Sequence, residues 1–282
     1  MLSVVITGAS SGIGLATALD LARAGNRVFA TMRDPKRAPE LADIAKREAL
    51  PLEIRSLDVD SDASVSDCFA GIPQPVDVLV NNAGIISTGA VEELPLQSFV
   101  DMINTNYLGA VRCIKAVLPG MRRAKAGCII NISSVSGRLA QGPFGAYSAS
   151  KFALEGMSEA LAGEVKPFNI RVAIVEPGVQ DTKMARVVTE PPASAYPQGR
   201  RWARFFRAVL ANPVAPTMTA SVIRHIIESD TWQLRHPSGQ DVPGVLAWRA
   251  ALSDEQWVGF SAQEDDSWYR QVQREFGMDI KP

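Results

Sequence analysis

The amino-terminal segment restricts the fold more than any other part of the sequence, because it joins a strand, a glycine turn and a helix. Residues 2–6 (LSVVI) are mostly apolar and β-branched, as in a strand buried in a parallel sheet. Residues 7–14 (TGASSGIG) form a turn with three glycines, and apolar residues then recur at helical spacing up to Gly25. Glycines in such a turn let the backbone approach a diphosphate, and the helix N-terminus offers free N–H groups to phosphate oxygens. The segment predicts a dinucleotide site, the alternative being a glycine turn that binds nothing.

Strand-like apolar runs alternate with helical patterns along the rest of the chain. This alternation predicts an α/β fold, a Rossmann-like doubly wound parallel sheet with helices on both faces, in a single domain over residues 1–282. Residues 182–212 change character, with several prolines before an aromatic helical pattern, and residues 237–282 are expected to form a helical tail. The predicted strands are 2–7, 27–31, 52–57, 76–81, 128–133, 171–176 and a short seventh at 231–235.

Composition excludes several classes of protein. A formal net charge of -1 over 282 residues gives no indication of a nucleic-acid partner. No apolar run approaches the ~20 residues of a transmembrane helix. The three cysteines are odd in number and far apart, and the first strand begins at residue 2, so a cytoplasmic location without a signal peptide is expected. The two histidines have no neighbouring ligands at metal spacing, so no metal is expected.

Tyr147 and Lys151 are four residues apart and therefore share a helix face. A lysine cation near a phenol favours the phenolate, so the expected effect is a lowered pKa for Tyr147. Such a pair acts as a general acid or base on a carbonyl or alcohol oxygen. Taken alone, the same spacing also describes a solvated helix face.

Further motifs occur along the chain in the same order as in a known protein family. Together with Tyr147 and Lys151 they carry a resemblance to that family. The sequence resembles the short-chain dehydrogenase/reductase family over roughly residues 2–182, and residues 30–34 and 149–156 are similar to its estrogenic hydroxysteroid dehydrogenase and photoreceptor retinol dehydrogenase branch. The motifs that carry the resemblance are Thr7-Gly8-x-x-x-Gly12-Ile13-Gly14, Asn81-Asn82-Ala83-Gly84, Asn106, Ser134, Tyr147-x-x-x-Lys151 and Pro177-Gly178.

The resemblance implies four catalytic residues. Tyr147 is the acid/base, Lys151 assists it and binds the nicotinamide ribose, Ser134 holds the reacting oxygen, and Asn106 completes a proton relay. Ser133 is expected to be structural, and Ser136 is a weaker rival to Ser134.

The resemblance also implies a cofactor site around the glycine turn and the strand ends. Asp58 corresponds to the acid that accepts a hydrogen bond from the adenine amino group, with a surface aspartate as the alternative. The cofactor residues are Gly8, Ser10, Ser11, Gly12, Ile13, Gly14, Arg33, Asp58, Val59, Asn82, Ala83, Gly84, Tyr147, Lys151, Pro177, Gly178, Val179 and Thr182.

The end of the second strand predicts which cofactor binds. NAD-specific members carry an acid there that binds the ribose hydroxyls, but this chain has Met32, followed by Arg33. A guanidinium suits a 2′-phosphate, and Ser11 could donate to the same group. NADP(H) is therefore expected rather than NAD(H), unless Asp34 neutralises Arg33.

The expected reaction is hydride transfer between NADP(H) and a hydrophobic ketone, aldehyde or secondary alcohol, steroid-like, retinoid-like or otherwise apolar, with reduction as the expected direction. In the family, the segment at about 182–212 covers the substrate. Its arginines at 200, 201, 204 and 207 are interpreted as the polar face of an amphipathic helix, with an acidic substrate or a membrane surface as alternatives.

Two other functions remain open at this point. One is a non-catalytic NADP(H)-sensing regulator or scaffold, and the other is a dehydratase or epimerase on the same fold. A homodimer through the helices that hold Asn106 and Tyr147 is the expected assembly, with a tetramer also possible.

Overall fold

Seven strands form one parallel sheet in the computed structural model, which describes residues 1–191 and 193–280. The strand order is β3-β2-β1-β4-β5-β6-β7, so the direction in which successive strands are added to the sheet reverses between β1 and β4. Ligands of open α/β sheets bind in the crevice beyond the carboxyl ends of the strands at such a reversal. The strands are β1 (Ser3–Ile6), β2 (Arg27–Met32), β3 (Leu52–Ser56), β4 (Val78–Asn81), β5 (Gly127–Ile132), β6 (Ile170–Pro177) and β7 (Arg235–Ser238).

Helices cover both faces of the sheet, which confirms the predicted doubly wound α/β class. One apolar core lies between the sheet and α1 and α9, and a second lies between the other face and α3, α5 and α6. The helices are α1 (Gly12–Arg23), α2 (Pro39–Arg47), α3 (Asp62–Ala70), α4 (Leu96–Ile103), α5 (Gly109–Ala124), α6 (Gly145–Val165), α7 (Lys183–Arg186), α8 (Gln198–Val209), α9 (Thr217–Glu228), α10 (Val242–Ala251), α11 (Asp254–Ala262) and α12 (Asp265–Phe276).

The predicted seventh strand is displaced along the chain. The expectation of 231–235 is wrong, because β7 pairs with the carboxyl half of β6 in a register from Ile174↔Arg235 to Pro177↔Ser238. Trp232 suggested a strand residue, but its ring lies beneath the Lys166 ammonium and is 48% exposed. Pro237 is tolerated in β7 because this strand is at the edge of the sheet.

The long helix around Asn106 is interrupted. Residues Asn104–Leu108 form a π-helical segment between α4 and α5. Such segments insert an extra residue into an α-helix and are frequent at functional sites. The poor helix propensity of asparagine indicated an irregularity, but not its geometry.

The carboxyl-terminal helices build a third, aromatic core against α8. Of the predicted segment 182–212, Pro192 lies outside the described residues, as do residues 281–282 of the tail. No helix in the described ranges is long and apolar enough to span a bilayer.

The arginines of α8 form ion pairs with neighbouring segments, while Arg200 and Arg207 remain exposed as on the predicted polar face. The Arg201 side chain is only 3% exposed and its Nε lies 2.6 Å from Asp265 of α12. Arg200 pairs with the same carboxylate, whereas Arg204 and Arg207 pair with Glu190. Each of the two carboxylates is shared by two arginines, so four positive charges face two negative ones.

Candidate active site

The four predicted catalytic side chains come from three different elements at the carboxyl edge of the sheet. Ser134 follows β5 directly, whereas Tyr147 and Lys151 lie one turn apart on α6, and Asn106 lies in the π-helical segment. All except Ser134 are buried. Tyr147, Lys151 and Ser134 line one cavity. Gly84 lies next to both Lys151 and Asn106.

Lys151 is fixed by one backbone contact. Its Nζ donates to the Ile132 carbonyl at 2.9 Å and lies 5.7 Å from the centre of the Tyr147 ring. Burial disfavours the ammonium and lowers the pKa of Lys151 to about 8, while the Glu155 carboxylate one turn along α6 opposes this shift. A group with this pKa can exchange protons near neutral pH.

Tyr147 shows the opposite of the expected shift. Burial raises the pKa of Tyr147 to about 12, and a hydrogen bond with the Ser134 side chain only partly opposes that effect. The prediction that Lys151 lowers this pKa is wrong for the structure described here. The physical reason is that the phenol is desolvated while the ammonium is directed at Ile132.

Asn106 is held by both of its side-chain polar atoms. Its Oδ1 accepts from Ile85 N at 2.7 Å, and its Nδ2 donates to Ile85 O and to Ser150 Oγ, both at 2.9 Å. A Cβ added at Gly84 would lie 3.3 Å from Asn106 Oδ1 and 3.7 Å from Lys151 Nζ. Glycine at this position therefore permits the close approach of these two groups.

The three neighbouring serines have different surroundings. Ser134 Oγ accepts from Ser136 N at 3.1 Å and also contacts Tyr147. Ser133 lies instead beside the buried Glu155 carboxylate, whose pKa is raised mainly by desolvation and partly lowered by this hydroxyl. This arrangement agrees with a structural role for Ser133 and leaves Ser134 as the hydroxyl next to the phenol.

Asn82 fixes the glycine turn to the sheet. Its Nδ2 donates to Thr7 O at 2.9 Å and Gly8 O at 3.1 Å. Gly8 and Gly12 have φ of +68° and +57°, which favour glycine. A Cβ at Gly14 would lie 2.5 Å from Gly8 O, so a side chain there would collide with the turn.

A cavity of about 450 Å³ begins at this turn and follows the strand ends. The N-cap residue of α1, Ser11, makes no capping hydrogen bond with its side chain to any described residue, so its hydroxyl is available to a ligand. The glycine cradle, the free helix N-terminus and the cavity length fit a nicotinamide dinucleotide. The predicted residues on its wall are Gly8, Ser10, Ser11, Gly12, Ile13, Arg33, Asp58, Val59, Asn82, Ala83, Gly84 and Thr182.

Other predicted cofactor residues lie outside this wall, and two residues of the wall already accept hydrogen bonds from the backbone. Gly14 is buried behind the turn, and Pro177, Gly178 and Val179 line the neighbouring cavity with the catalytic residues. Asp58 Oδ1 accepts from Asp60 N at 3.1 Å, and Thr182 Oγ1 accepts from Ala185 N as the N-cap of α7.

Met32 and Arg33 both lie on the wall of the cofactor cavity but differ in their exposure to solvent. Met32 is buried, whereas Arg33 is exposed. Asp34 caps Lys36 N at 3.0 Å, and no ion pair joins it to Arg33 within the part of the chain that the structure describes. The alternative in which Asp34 neutralises Arg33 is therefore not favoured.

The second cavity, of about 190 Å³, adjoins the first and is walled mainly by apolar side chains. The aromatic pattern within residues 182–212 indicated some of this wall, whereas Trp248 and Phe276 were not expected there. Gln141 and Phe144 were not predicted as cavity residues, although both fall between Ser134 and Tyr147, whereas Gln180 was expected to affect the mouth of the pocket. The aromatic residues of the wall are Phe144, Trp202, Phe205, Phe206, Trp248 and Phe276.

Comparisons with known proteins agree with this geometry. The sequence profile of the family described as short chain dehydrogenase matches residues 3–193. Retinol dehydrogenase 8 of Homo sapiens is 48% identical over 181 residues, which cover 62% of this chain and 58% of the relative. The chain therefore matches about three fifths of that relative's length.

Two crystal structures extend the comparison to the fold. A short-chain dehydrogenase from Streptomyces avermitilis has a TM-score of 0.78 at 32% identity and covers 98% of each chain. A variant of actinorhodin polyketide ketoreductase with NADPH has a TM-score of 0.76 at 29% identity, over 86% of this chain and 97% of the other. With its seven-stranded parallel sheet, its glycine turn and the profile match over most of its length, this chain belongs to the short-chain dehydrogenase/reductase family.

Proposed function

We propose that the protein is an NADP(H)-dependent oxidoreductase that interconverts an apolar carbonyl compound and its alcohol. The observation that carries this proposal is the position of Ser134, Tyr147 and Lys151 where a glycine-walled cavity meets an aromatic one. A retinol dehydrogenase and a polyketide ketoreductase among the relatives support the same reaction class.

The roles of the site residues follow from their surroundings. When bound, NADP(H) supplies or accepts the hydride. Tyr147 donates its proton to the carbonyl oxygen in reduction, which suits a phenol whose pKa of about 12 keeps it protonated. Ser134 holds the same oxygen and stabilises the charge that develops on it. Lys151, with a pKa of about 8, returns a proton to Tyr147, and Asn106, which bonds Ser150 Oγ of the same helix, completes the proton relay.

Arg33 supports the choice of NADP(H). Its guanidinium is exposed on the cofactor-cavity wall, and the preceding position is Met32, which cannot accept hydrogen bonds from ribose hydroxyls as an acid would. Ser10 and Ser11 line the same wall and can donate to a phosphate. The double change Met32→Asp with Arg33→Ala should reverse the preference to NADH, and NADP(H) preference that survives this change would contradict the assignment.

The substrate proposed for the second cavity is uncharged and largely apolar. Helices α7 and α8 form one side of this cavity, which supports a covering role for the segment at about 182–212. A volume of about 190 Å³ is below the roughly 300–1,000 Å³ typical of small-molecule sites. A substrate of steroid or retinoid size would therefore require this cover to move.

A homodimer is the proposed assembly, through the helices that hold Asn106 and Tyr147. Large apolar side chains are exposed along these helices: Leu96 by 78%, Val100 by 51%, Leu108 by 38% and Phe152 by 45%. Large exposed apolar side chains on the same helices are typical of interfaces.

The first experiment measures thermal stability with and without NADPH and NADH. A ligand at ~100 times its Kd adds about 2.7 kcal/mol. A larger shift with NADPH is expected. Tyr147→Phe should keep that shift but lose turnover of apolar ketones by orders of magnitude. Near-normal turnover in Tyr147→Phe would contradict the mechanism, and the absence of a shift with either nucleotide would contradict the cofactor proposal.

A further inference from the structure

Gln141 is a buried side chain whose amide oxygen lacks a partner. It lies between Ser134 and Tyr147, and only 9% of its surface is exposed. Its backbone carbonyl accepts from Phe144 N at 2.7 Å, and the preceding Ala140 carbonyl accepts from Trp257 Nε1 at 2.9 Å. The backbone is thus fixed on both sides, while Oε1 is buried and has no hydrogen-bond partner within the described chain.

The described residues around this amide provide no hydrogen-bond donor for its oxygen. Gln141 lines the second cavity, as do Leu139, Phe144 and Trp202, and none of the described residues donates a hydrogen bond to its Oε1. Buried polar atoms in folded proteins are nearly always paired, and an unpaired one is costly. An unpaired amide oxygen in a cavity wall is suited to accept a hydrogen bond from a ligand that enters the cavity.

Gln180 provides an internal comparison. It is the second buried glutamine of this cavity wall, but its Nε2 donates to Thr219 Oγ1, which itself bonds Ser238 Oγ at 2.7 Å. Gln180 Oε1 is also buried and unpaired, but the Nε2 contact anchors this amide to the fold, whereas no hydrogen bond within the described chain anchors the Gln141 amide.

We infer that Gln141 is a specificity residue that accepts a hydrogen bond from a second polar group of the substrate, a hydroxyl or an N–H remote from the reacting carbon. This inference rests on the proposed function, in which Ser134 and Tyr147 hold the reacting oxygen. The substrate class is accordingly narrowed from apolar carbonyl compounds to hydroxylated or amino-substituted ones.

The test uses 2-decalone and its ring-hydroxylated regioisomers with NADPH, because a fused bicyclic ketone is compact enough for the cavity. The wild-type protein should prefer at least one hydroxylated isomer by about tenfold or more in kcat/KM, since a site built to bind a hydroxyl rejects the analogue without it. Gln141→Met, which keeps the length of the side chain, should abolish the preference, so that the ratio of kcat/KM for the hydroxylated isomer to that for 2-decalone falls to about one.

Two further readouts separate recognition from a structural role. Gln141→Met should raise the Tm of the protein, because it removes an unpaired buried amide. Gln141→Glu, which keeps an acceptor oxygen, should retain the preference. A lowered Tm with an unchanged preference in Gln141→Met would overturn the inference, as would equal kcat/KM for 2-decalone and every hydroxylated isomer.

The outcome also distinguishes the two proposals. Reduction of 2-decalone without any hydroxyl preference would refute the role of Gln141 and leave the proposed function intact. No stabilisation by NADPH and no reduction of any decalone would refute the proposed function, and the inference would fall with it.

Discussion

Replacing Lys151 by methionine should abolish turnover and change how the stability of the fold depends on pH. The ammonium is buried, with 4% of the residue exposed, and desolvation lowers its pKa from 10.5 to about 8. In the unfolded chain the same lysine regains its ordinary pKa. The folded protein therefore carries a cost at every pH where the lysine is charged.

The size of this free-energy cost follows from the pKa shift of Lys151. At about 1.36 kcal/mol per pKa unit, the cost is about 3 kcal/mol below pH 8, where both states are protonated. Between about pH 8 and 10.5 the unfolded chain holds the proton and the folded protein releases it, so the free energy of unfolding rises with pH. From pH 7 to pH 9 the gain is about 1.3 kcal/mol, and to pH 10 it is about 2.5 kcal/mol.

Methionine removes this pH dependence but also removes a hydrogen bond. Loss of the donor to Ile132 O leaves a buried carbonyl unpaired and costs about 1–3 kcal/mol. At pH 7 the variant should therefore be as stable as wild type or about 2 kcal/mol more stable. As pH rises, wild type should gain stability relative to the variant.

Urea unfolding of both proteins at pH 7, 8 and 9 measures this difference. Lys46→Met, at an exposed position of α2, is the matched control for loss of a lysine and should follow wild type at each pH. A difference between wild type and Lys151→Met that stays constant from pH 7 to 9 would refute the argument that burial lowers the pKa of Lys151.

Three further outcomes are expected. Gly14→Ala should destabilise the fold by about 1–3 kcal/mol and reduce the thermal shift with NADPH, because its Cβ would meet Gly8 O, whereas Gly120→Ala, with open space around it, should be neutral or stabilise by up to about 1 kcal/mol. Phe152→Glu should shift the mass from dimer towards monomer in light scattering, and a monomeric wild type would refute the interface. Alcohol oxidation should accelerate from pH 7 to 10, because the phenolate of Tyr147 forms more readily as pH approaches its pKa of about 12, and a flat profile would contradict this role.

The sequence predicted the sheet well because its signals are local. The buried strands are short β-branched runs, and the turn at residues 7–14 needs glycine at fixed positions for steric reasons. Only the edge strand was misplaced, since residues 231–235 lack the apolar pattern of a buried strand and β7 is defined by its register with β6.

The candidate site was predicted only as a set of residues. The roles of Asn106, Ser134, Tyr147 and Lys151 remain predictions, but the structure brings them together at one end of the sheet. Their electrostatics could not be obtained from spacing. The i,i+4 relation of Tyr147 and Lys151 suggested a lowered phenol pKa, whereas burial decides its actual direction.

By itself, the sequence determined the order of the strands and helices along the chain, the glycine turn and the chemical types available at the strand ends, because each depends on neighbours within a few residues. The tertiary structure decided the rest. It paired the arginines of α8 with Glu190 and Asp265, carried Trp248 and Phe276 to the second cavity, and left the amide oxygen of Gln141 unpaired among the described residues. These outcomes depend on contacts between segments up to about a hundred residues apart, and on the desolvation that such contacts impose.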